Sequence, residues 1–219
     1  LADLYPGRDS AALEADLATA ETEAKGLAAR YAGKMAGLSG EDLGAAIGAY
    51  ERLDERLGRV TSFAELTFAG DQSNPEIAKF YQTIQERVTQ ISTRSLFFTL
   101  ELNRIEEAEI AAKLEAPALR RYAPWIRDQR ALRPHQLADE IERLLHEKHV
   151  TGRAAWVRLF DETLAALRFP IEDRDLTSAE AFNLLCDRDP KLRRAAALSI
   201  GRGRGQNVRL FSLITNTLA

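Results

Sequence analysis

Apolar residues recur at every third or fourth position through most of the chain, the spacing that places them on one face of an α-helix. The first series predicts a long helix that follows a capping residue at Asp9 or Ser10. Its apolar positions are Leu13, Leu17, Ala20, Ala24, Leu27 and Tyr31. Glycines between positions 33 and 40 end this helix, and Ser39 and Asp42 have the spacing of a capping box that starts a second one.

The second and third series are longer than the first. The second ends at Gly70. Asn74 then caps a third helix, with Pro75 at its first position, where a missing amide proton costs nothing. The third series continues without interruption from residue 77 to residue 105, and it predicts one helix of about thirty residues, roughly 45 Å long. Helices of this length pack side by side, so we expect them to be antiparallel.

Beyond residue 105 the predicted elements are shorter. Residues 106–116 and 118–131 indicate two helices separated by Pro117, with Pro124 either bending or ending part of the second, and Pro134 starts the next helix. We therefore predict two regions, the long helices of residues 1–105 and the shorter elements of residues 106–219.

Residues 168–177 are the one stretch that is typical of extended structure. Phe169, Ile171 and Leu176 flank an acidic turn, which predicts a small hairpin, and Pro170 lacks the amide proton that a β-ladder needs. The predicted fold class is therefore mostly all-α, with long antiparallel helices followed by shorter helices and one small β-hairpin.

The last predicted helices contain three glycines. Thr177 and Glu180 have the spacing of a capping box, and Asp189 starts the next helix. The glycines within residues 201–205 cost about 1 kcal/mol each in a helix interior. We therefore expect a break at these glycines, ahead of the final helix over residues 208–218, unless packing offsets this cost.

The composition is that of an ordinary globular protein. The chain has 219 residues, of which 45% are hydrophobic, enough for a packed core. Charged residues interrupt every apolar stretch before about 18 residues accumulate, so we expect no membrane partner. The single Cys186 permits no internal disulfide, and no secretion signal is recognisable, so a reducing cytoplasm is the expected location.

Positive charge is concentrated near the end of the chain. Residues 190–219 contain no acidic residue, and their basic residues are Lys191, Arg193, Arg194, Arg202, Arg204 and Arg209. Because the formal net charge of the whole chain is −3, the first 189 residues carry −9. Glycine and arginine alternate over residues 201–205, but without aromatic residues to stack on bases this is a weak signal for RNA binding. We expect a basic contact surface and no nucleic-acid partner.

His146 and His149 lie in the string HEKH, one residue short of H-E-x-x-H, in which two histidines bind zinc and the glutamate activates its water. Here the spacing is three. His135 is the only other histidine, and Glu142 would have to supply a third ligand from the same helix, so the ligands would not converge on a tetrahedral ion. The apolar stripe of the segment is Leu137, Ile141, Leu144 and Leu145. Its polar side, with Glu147, His149 and much of His146, is expected to be solvated, and we assign the chain no metal ligand and no catalytic residue.

Substrate-binding residues cannot be assigned from the sequence. Gln85, Asn103 and Tyr122 are polar residues on predicted helices and are no more diagnostic than other solvated positions. Trp156 shares a continuous apolar face with Phe160, which favours a core role for its ring over ligand stacking.

Three strings that begin at this histidine segment carry a family resemblance. Residues 144–148 (LLHEK), 150–156 (VTGRAAW) and 158–163 (RLFDET) resemble the N-terminal region of the oligoendopeptidase F family of zinc metallopeptidases. Further similar stretches are residues 3–6, 97–98, 101–103 and 213–218. The resemblance therefore runs from the first residues to the last. It also implies a helix through residues 201–205, where the glycines alone predict a break.

The resemblance implies that the parent protein is a cytoplasmic, zinc-dependent peptidase that hydrolyses oligopeptides. Its H-E-x-x-H motif and a further glutamate ligand would lie in a C-terminal catalytic domain that these 219 residues do not contain. The present chain would form part of a helical wall around the substrate channel, and we expect it alone to be inactive and to bind no zinc.

Both ends of the chain also indicate a piece of a longer protein. The chain starts at Leu1 without a methionine and stops at Ala219 within an apolar segment. The apolar residues of that segment are Val208, Leu210, Phe211, Leu213, Ile214 and Leu218. An absent domain would normally cover them, so we expect the isolated chain either to self-associate through this segment or to hold it against its own core in a way that the longer protein would not.

Composition and periodicity fit a second hypothesis equally well, a stand-alone helical protein-interaction module. The two hypotheses differ in whether the reading frame continues past Ala219 into an H-E-x-x-H segment.

Overall fold

The computed structural model describes residues Leu1–Ala219 and consists mostly of helices. Helices account for 75% of the residues, and one two-stranded antiparallel sheet is the only extended structure. The α-helices are α1 (Ala11–Tyr31), α2 (Gly40–Gly70), α3 (Pro75–Thr93), α4 (Phe97–Arg104), α5 (Glu107–Lys113), α6 (Pro117–Arg120), α7 (Ala123–Arg130), α8 (Asp139–Lys148), α9 (Arg153–Ala166), α10 (Ser178–Asn183), α11 (Pro190–Gly205) and α12 (Val208–Leu218). The strands are β1 (Phe169–Ile171) and β2 (Arg174–Leu176), and short 3₁₀ turns are Met35–Gly37, Arg133–His135 and Leu184–Cys186. The predicted fold class is confirmed, and no helix is both long and apolar enough to cross a membrane.

Contacts between residues group the chain into two compact units. Unit 1 consists of residues 1–69 and 79–148, and unit 2 of residues 70–78 and 149–219. Each unit has its own cluster of buried apolar side chains. The boundary at residue 105 follows from a predicted helix length, and in the structure the elements already shorten after Thr93. As a domain boundary it stays a prediction.

The first two helices form an antiparallel pair in unit 1. The α1 helix begins after Ser10, whose hydroxyl accepts a backbone hydrogen bond from the first turn at 3.3 Å. All six predicted apolar positions of α1 are buried. Asp16 contacts Arg59 of α2, whereas Glu23, further along α1, contacts the earlier Arg56. The helices therefore run in opposite directions, as predicted.

Asp16 is the main polar contact between the N-terminal segment, α1 and α2. Its side chain is only 15% exposed. The carboxylate accepts hydrogen bonds from the Tyr5 hydroxyl at 2.6 Å, from Arg56 at 2.6 Å and from Arg59 at 2.9 Å. Burial raises the pKa of Asp16, but the hydrogen bonds from Tyr5 and Arg56 and the charges of both arginines outweigh burial, so the pKa lies below its usual value.

The prediction of one continuous helix over residues 77–105 is wrong, because a turn separates α3 from α4. At this turn, side-chain hydroxyl groups donate hydrogen bonds to backbone carbonyls. Thr93 donates to the carbonyl of Thr89 at 2.7 Å, and Ser95 donates to that of Ser92 at 3.0 Å. Such bonds compete with the helical ladder, and the backbone here forms tighter bonds three residues apart. The apolar period continues through the turn, so it does not reveal the break.

Gly40 and Gly44 of α2 face the backbone of another segment, and Gly48 on the same side of the helix faces the Tyr122 hydroxyl of that segment. Gly40, Gly44 and Gly48 are spaced by four and share one face of the helix. A Cβ on Gly44 would lie 2.7 Å from the carbonyl carbon of Ala118, and a Cβ on Gly40 would overlap the same segment, residues 113–122. Only residues without a side chain allow this approach. We call these three residues the glycine stripe.

The elements that follow are more broken than the sequence predicts. Residues 106–131 form three helices, α5 to α7, instead of two. Pro134 lies in a 3₁₀ turn, so the prediction that it starts the histidine-containing helix is wrong. That helix, α8, begins at Asp139. Glu142 in its first turn accepts a hydrogen bond from the amide of Leu137 at 2.8 Å, which holds the preceding residues outside the helix.

The predicted hairpin forms part of the core of unit 2. Phe169 pairs with Leu176, and Ile171 pairs with Arg174. Glu172 adopts φ 54°, the left-handed conformation, in the turn. The three apolar side chains predicted to flank the turn are all buried.

Packing on the hairpin explains why α11 continues through residues 201–205, where a break is expected from the sequence. A Cβ on Gly203 would lie 2.9 Å from a ring carbon of Phe169, so glycine lets the helix approach this ring. Ser199 donates a hydrogen bond to the carbonyl of Pro170 at 2.9 Å. These contacts offset the helix-propensity cost of the glycines, and the break comes after them, in front of α12.

The glycine stripe yields the first prediction. Gly44→Ala should lower the free energy of unfolding by about 1–3 kcal/mol, because the new methyl group would force α2 and the Ala118 backbone apart. The matched control is Gly58→Ala in the same helix, where a Cβ meets nothing within 4 Å. That variant should gain stability, by up to about 1 kcal/mol, from its higher helix propensity. Urea denaturation followed by circular dichroism measures both, and equal effects would contradict the stripe.

A second prediction concerns Asp16. A carboxyl group with a depressed pKa in the folded state contributes stability above its unfolded pKa of about 3.9, and this contribution is lost as the pH falls through the folded pKa. Asp16→Asn should therefore cost about 1.5–3 kcal/mol at pH 7, and the difference from the parent should shrink below pH 4. The control Glu14→Gln removes the exposed pair with Arg87 and should cost no more than about 1 kcal/mol. A pH-independent difference for Asp16→Asn would contradict this account.

Candidate functional site

The α8 helix packs in unit 1 with its polar side inward. Asp139 forms an ion pair with Arg104. His146 and Ser92 share a hydrogen bond, with the imidazole Nε2 2.9 Å from the hydroxyl oxygen. Arg143, on the same side of the helix, lines a cavity formed with α1 and the turn after α3. Polar contacts therefore hold this helix on the unit.

The opposite side of α8 is apolar and exposed. No residue of α8 is buried. The apolar stripe predicted for this segment is 48% exposed at Leu137, 47% at Ile141, 53% at Leu144 and 55% at Leu145. Leu137 lies just before the first residue of the helix, and we call it together with the three helical residues the apolar face of α8. Glu147 and His149 are exposed as predicted, whereas His146 is half-buried.

The three histidines occupy separate local environments. His135 is exposed in a 3₁₀ turn, and His149 follows the last residue of α8. Glu142, considered as a third ligand, instead accepts the Leu137 amide. No group of three His, Cys, Asp or Glu side chains could hold a metal ion in this chain. The expectation that the isolated chain binds no zinc stays a prediction.

Glu101 has a structural role that the sequence does not reveal. One carboxylate oxygen accepts a hydrogen bond from the amide of Gly33 at 2.7 Å, and the other accepts one from the amide of Met35 at 3.3 Å. Gly33 has φ 76°, which glycine adopts without strain. Glu101 thus fixes the turn that follows α1, 68 residues earlier in the chain.

The polar residues considered for substrate binding lie in different surroundings. Gln85 is half-buried on α3 and lines neither of the two cavities described below. Asn103 is buried, and its side-chain oxygen has no hydrogen-bond partner in the protein; the same holds for the side-chain oxygen of Gln136. Tyr122 is buried and donates its hydroxyl proton to Glu51 at 2.9 Å.

A basic cavity of about 450 Å³ lies between α1, the turn after α3, and α8. Its lining residues are Lys25, Ala28, Ala32, Thr93, Arg94, Phe97, Arg143 and Glu147. Lys25 also forms an ion pair with Glu21 at 2.6 Å. Three cations against one carboxylate make this cavity positive, although the first 189 residues carry a net negative charge.

A second cavity, of about 220 Å³, lies between α2 and α7. We call it the aromatic-acidic cavity, and its lining residues are Ile47, Tyr50, Glu51, Asp54, Tyr122 and Trp125. The Tyr50 ring stacks on Phe98 at 4.6 Å, and its centroid is 6.1 Å from that of Trp125. Burial, with a smaller contribution from the charge of Asp54, raises the pKa of Tyr50 to about 12. Burial also raises the pKa of Asp54.

Unit 2 uses part of its basic segment for local contacts. Arg193 donates hydrogen bonds to the carbonyls of Asp187 and Arg188 at 2.8 and 3.1 Å. The guanidinium of Arg204 lies 4.9 Å from the ring centroid of Phe182. These arginines therefore stabilise the fold of the unit itself.

The aromatic residues of α9 are less buried than the sequence predicts. Trp156 and Phe160 are half-buried, because α12 covers only part of α9. Phe211 of α12 contacts Phe160 edge to face at 5.5 Å, and Ile214 is buried. Leu213 is 55% exposed. The expectation that α12 has more apolar surface than it buries on one face fits these exposures, whereas self-association stays a prediction.

Comparison with known proteins finds a family model that matches part of the chain and solved structures of similar fold. Residues 101–169, about a third of the chain, match the family model described as oligopeptidase F. The fold is similar to that of oligoendopeptidase-F from Enterococcus faecium, with a TM-score of 0.83 and 20% sequence identity over 94% of this chain and 42% of that one. A protein from Chlamydophila abortus to which peptidase activity is ascribed has a TM-score of 0.55 and 18% identity over 98% of this chain and 37% of that one. No curated protein matches the sequence.

The chain thus spans about two fifths of the length of the solved structures that it matches. At these identities the structural likeness shows the fold, and the family model supplies the sequence evidence. The resemblance that the sequence indicates is therefore confirmed: the chain has the fold, and over residues 101–169 the sequence pattern, of the N-terminal region of an oligoendopeptidase F-like peptidase.

Proposed function

We propose that this chain is the non-catalytic, N-terminal helical region of a cytoplasmic, zinc-dependent oligoendopeptidase that hydrolyses short peptides. The observation that carries the proposal is the fold match over 94% of the chain, together with the family model over residues 101–169. In this proposal the chain forms part of the wall of the substrate channel, and the zinc ligands belong to another part of the protein.

The exposed apolar face of α8 supports a role inside a longer protein. Its four residues lie within the segment that matches the family model. Soluble proteins rarely leave a contiguous apolar patch uncovered unless it contacts another surface or a ligand. A further part of the same polypeptide is the cover that fits the proposal.

In the proposed enzyme, zinc would activate a water molecule for attack on the peptide carbonyl, with a glutamate as the proton acceptor. The residues of this chain would contribute by enclosing the substrate channel. Long paired helices make a rigid wall, because each buries one stripe in the unit and leaves the other side available to a channel. Such a wall admits extended peptides and excludes folded proteins.

The second candidate function is a stand-alone helical protein-interaction module. The same apolar face of α8 favours it, because an exposed stripe at helical spacing fits the groove or helix of a partner protein. The two functions differ in what covers the stripe, a part of the same polypeptide or a separate protein.

The direct test is hydrolysis of a quenched fluorescent oligopeptide by the protein encoded by the complete reading frame. We expect cleavage that a zinc chelator abolishes and that added zinc restores, because catalysis needs the metal-bound water. The isolated 219-residue chain is the control; it should contain no stoichiometric zinc and cleave nothing. Stoichiometric zinc in the isolated chain that is lost on His149→Ala would show that the histidine pair is a metal site, and a complete protein without peptidase activity would overturn the proposal.

A further prediction tests the cover on α8. Leu144→Lys with Leu145→Lys should change the stability of the isolated chain by no more than about 0.5 kcal/mol, since both side chains are already exposed. In the complete protein the same pair should cost several kcal/mol, because two charges would be buried in a contact. Glu140→Lys, on exposed surface of the same helix, is the control for the change in charge. If the double substitution changes stability equally little in both proteins, the rest of the polypeptide does not cover the apolar face. That result would favour the interaction module.

A further inference from the structure

The aromatic-acidic cavity combines two kinds of group that attract cations. Glu51 and Asp54 are three residues apart on α2, so their carboxylates lie on the same side of the helix. Tyr50, Tyr122 and Trp125 supply the aromatic walls. The face of an aromatic ring carries negative electrostatic potential, and a cation within about 6 Å of the ring centroid is attracted to it.

The chain itself already holds one cation in this way. The guanidinium of Arg121 lies 4.4 Å from the ring centroid of Tyr122. The same guanidinium is 3.6 Å from the carboxylate of Glu51. One end of the cavity thus combines ring, carboxylate and guanidinium, so cation recognition is the chemistry that this surface performs within the fold.

The other end of the cavity has the same groups without a cation from the chain. Asp54 makes no hydrogen bond or ion pair, and burial alone raises the pKa of its carboxyl group. The hydroxyl of Tyr50 likewise has no partner in the protein. By contrast, Asp16 in the same unit contacts two arginines. Asp54 is an exposed residue, so solvent reaches its carboxylate, and a cation that enters the cavity can pair with it without displacing a partner from the protein.

Size and charge together restrict the class of ligand. The cavity volume of about 220 Å³ is below the range of roughly 300–1,000 Å³ typical of sites for drug-sized molecules. It therefore fits a single side chain or a small amine. Two carboxylates exclude anions, and the planar aromatic walls suit a guanidinium or an alkylated ammonium group better than a small metal ion.

We propose that the aromatic-acidic cavity binds an organic cation, a guanidinium or alkylammonium group, which lies in the cavity against the Trp125 and Tyr50 rings and pairs with the Asp54 carboxylate. Such a group comes either from a peptide side chain or from a free amine. Binding depends on residues of unit 1 only, so it would be observed whether or not the complete protein hydrolyses peptides.

Tryptophan fluorescence tests the proposal directly. The chain has two tryptophans, so Trp156→Phe leaves Trp125 as the single reporter. N-acetyl-arginine amide represents the peptide side chain and tetramethylammonium the free amine. We expect a saturable change in Trp125 emission with at least one of them, and none with N-acetyl-glutamine amide, which is similar in length but uncharged. The tighter of the two cations identifies the source.

The matched variants separate the site from the general charge of the surface. Asp54→Asn should weaken binding about tenfold, which corresponds to about 1.4 kcal/mol. Glu55→Gln removes the neighbouring exposed carboxylate, which does not line the cavity, and should leave the affinity unchanged. The proposal is overturned if neither cation gives a saturable change, if the neutral amide gives the same change, or if Asp54→Asn and Glu55→Gln have equal effects. Circular dichroism of each variant verifies that the fold is retained.

Discussion

The packing of residues 113–122 on the glycine stripe of α2 is the contact on which the rest of unit 1 depends. At Gly44 no side chain separates α2 from the opposing backbone, so the two segments approach more closely than any side chain would allow. This contact places Tyr122 beside Gly48 and, in the next helix, Trp125 beside Tyr50. The aromatic-acidic cavity is thus a consequence of backbone approach, because larger residues on the stripe would move one wall away from the other.

Local sequence patterns correctly predict those elements whose tertiary contacts favour the same structure as the pattern. The α1 seam is buried as its spacing indicates, and the capping box at Thr177 and Glu180 forms with both of its hydrogen bonds. The turn between α3 and α4 is not predicted, because the apolar spacing continues through it. The break coincides with hydrogen bonds that the Thr93 and Ser95 hydroxyls donate to backbone carbonyls. At Gly203 the opposite error occurs: glycine propensity predicts a break, but contact with the hairpin keeps the segment helical.

The candidate sites are harder to predict from the sequence than the helices, because each site combines residues from distant segments of the chain. The histidine pair is visible as a local motif, yet His146 contacts Ser92, 54 residues earlier. Asp54 and Trp125 belong to one cavity but have no local pattern that relates them. The glycine stripe is different, because spacing by four at positions 40, 44 and 48 is a readable signal of close helix approach. It would have indicated where α2 contacts another segment, though not which one.

Two orientations of α8 compete in unit 1: one keeps its polar contacts, and the other would bury its leucines. The helix has the first orientation, which leaves the leucines exposed. The ion pair with Arg104 joins two half-exposed side chains and is worth no more than about 1 kcal/mol. Fully burying a leucine is worth about 1.5–3 kcal/mol, so half-exposed Leu144 and Leu145 together forgo a comparable or larger amount. A helix that keeps its polar side inward under these conditions has the orientation expected when another polypeptide surface covers its apolar side. The family-model segment includes this helix, so the proposed function places that surface in the longer protein.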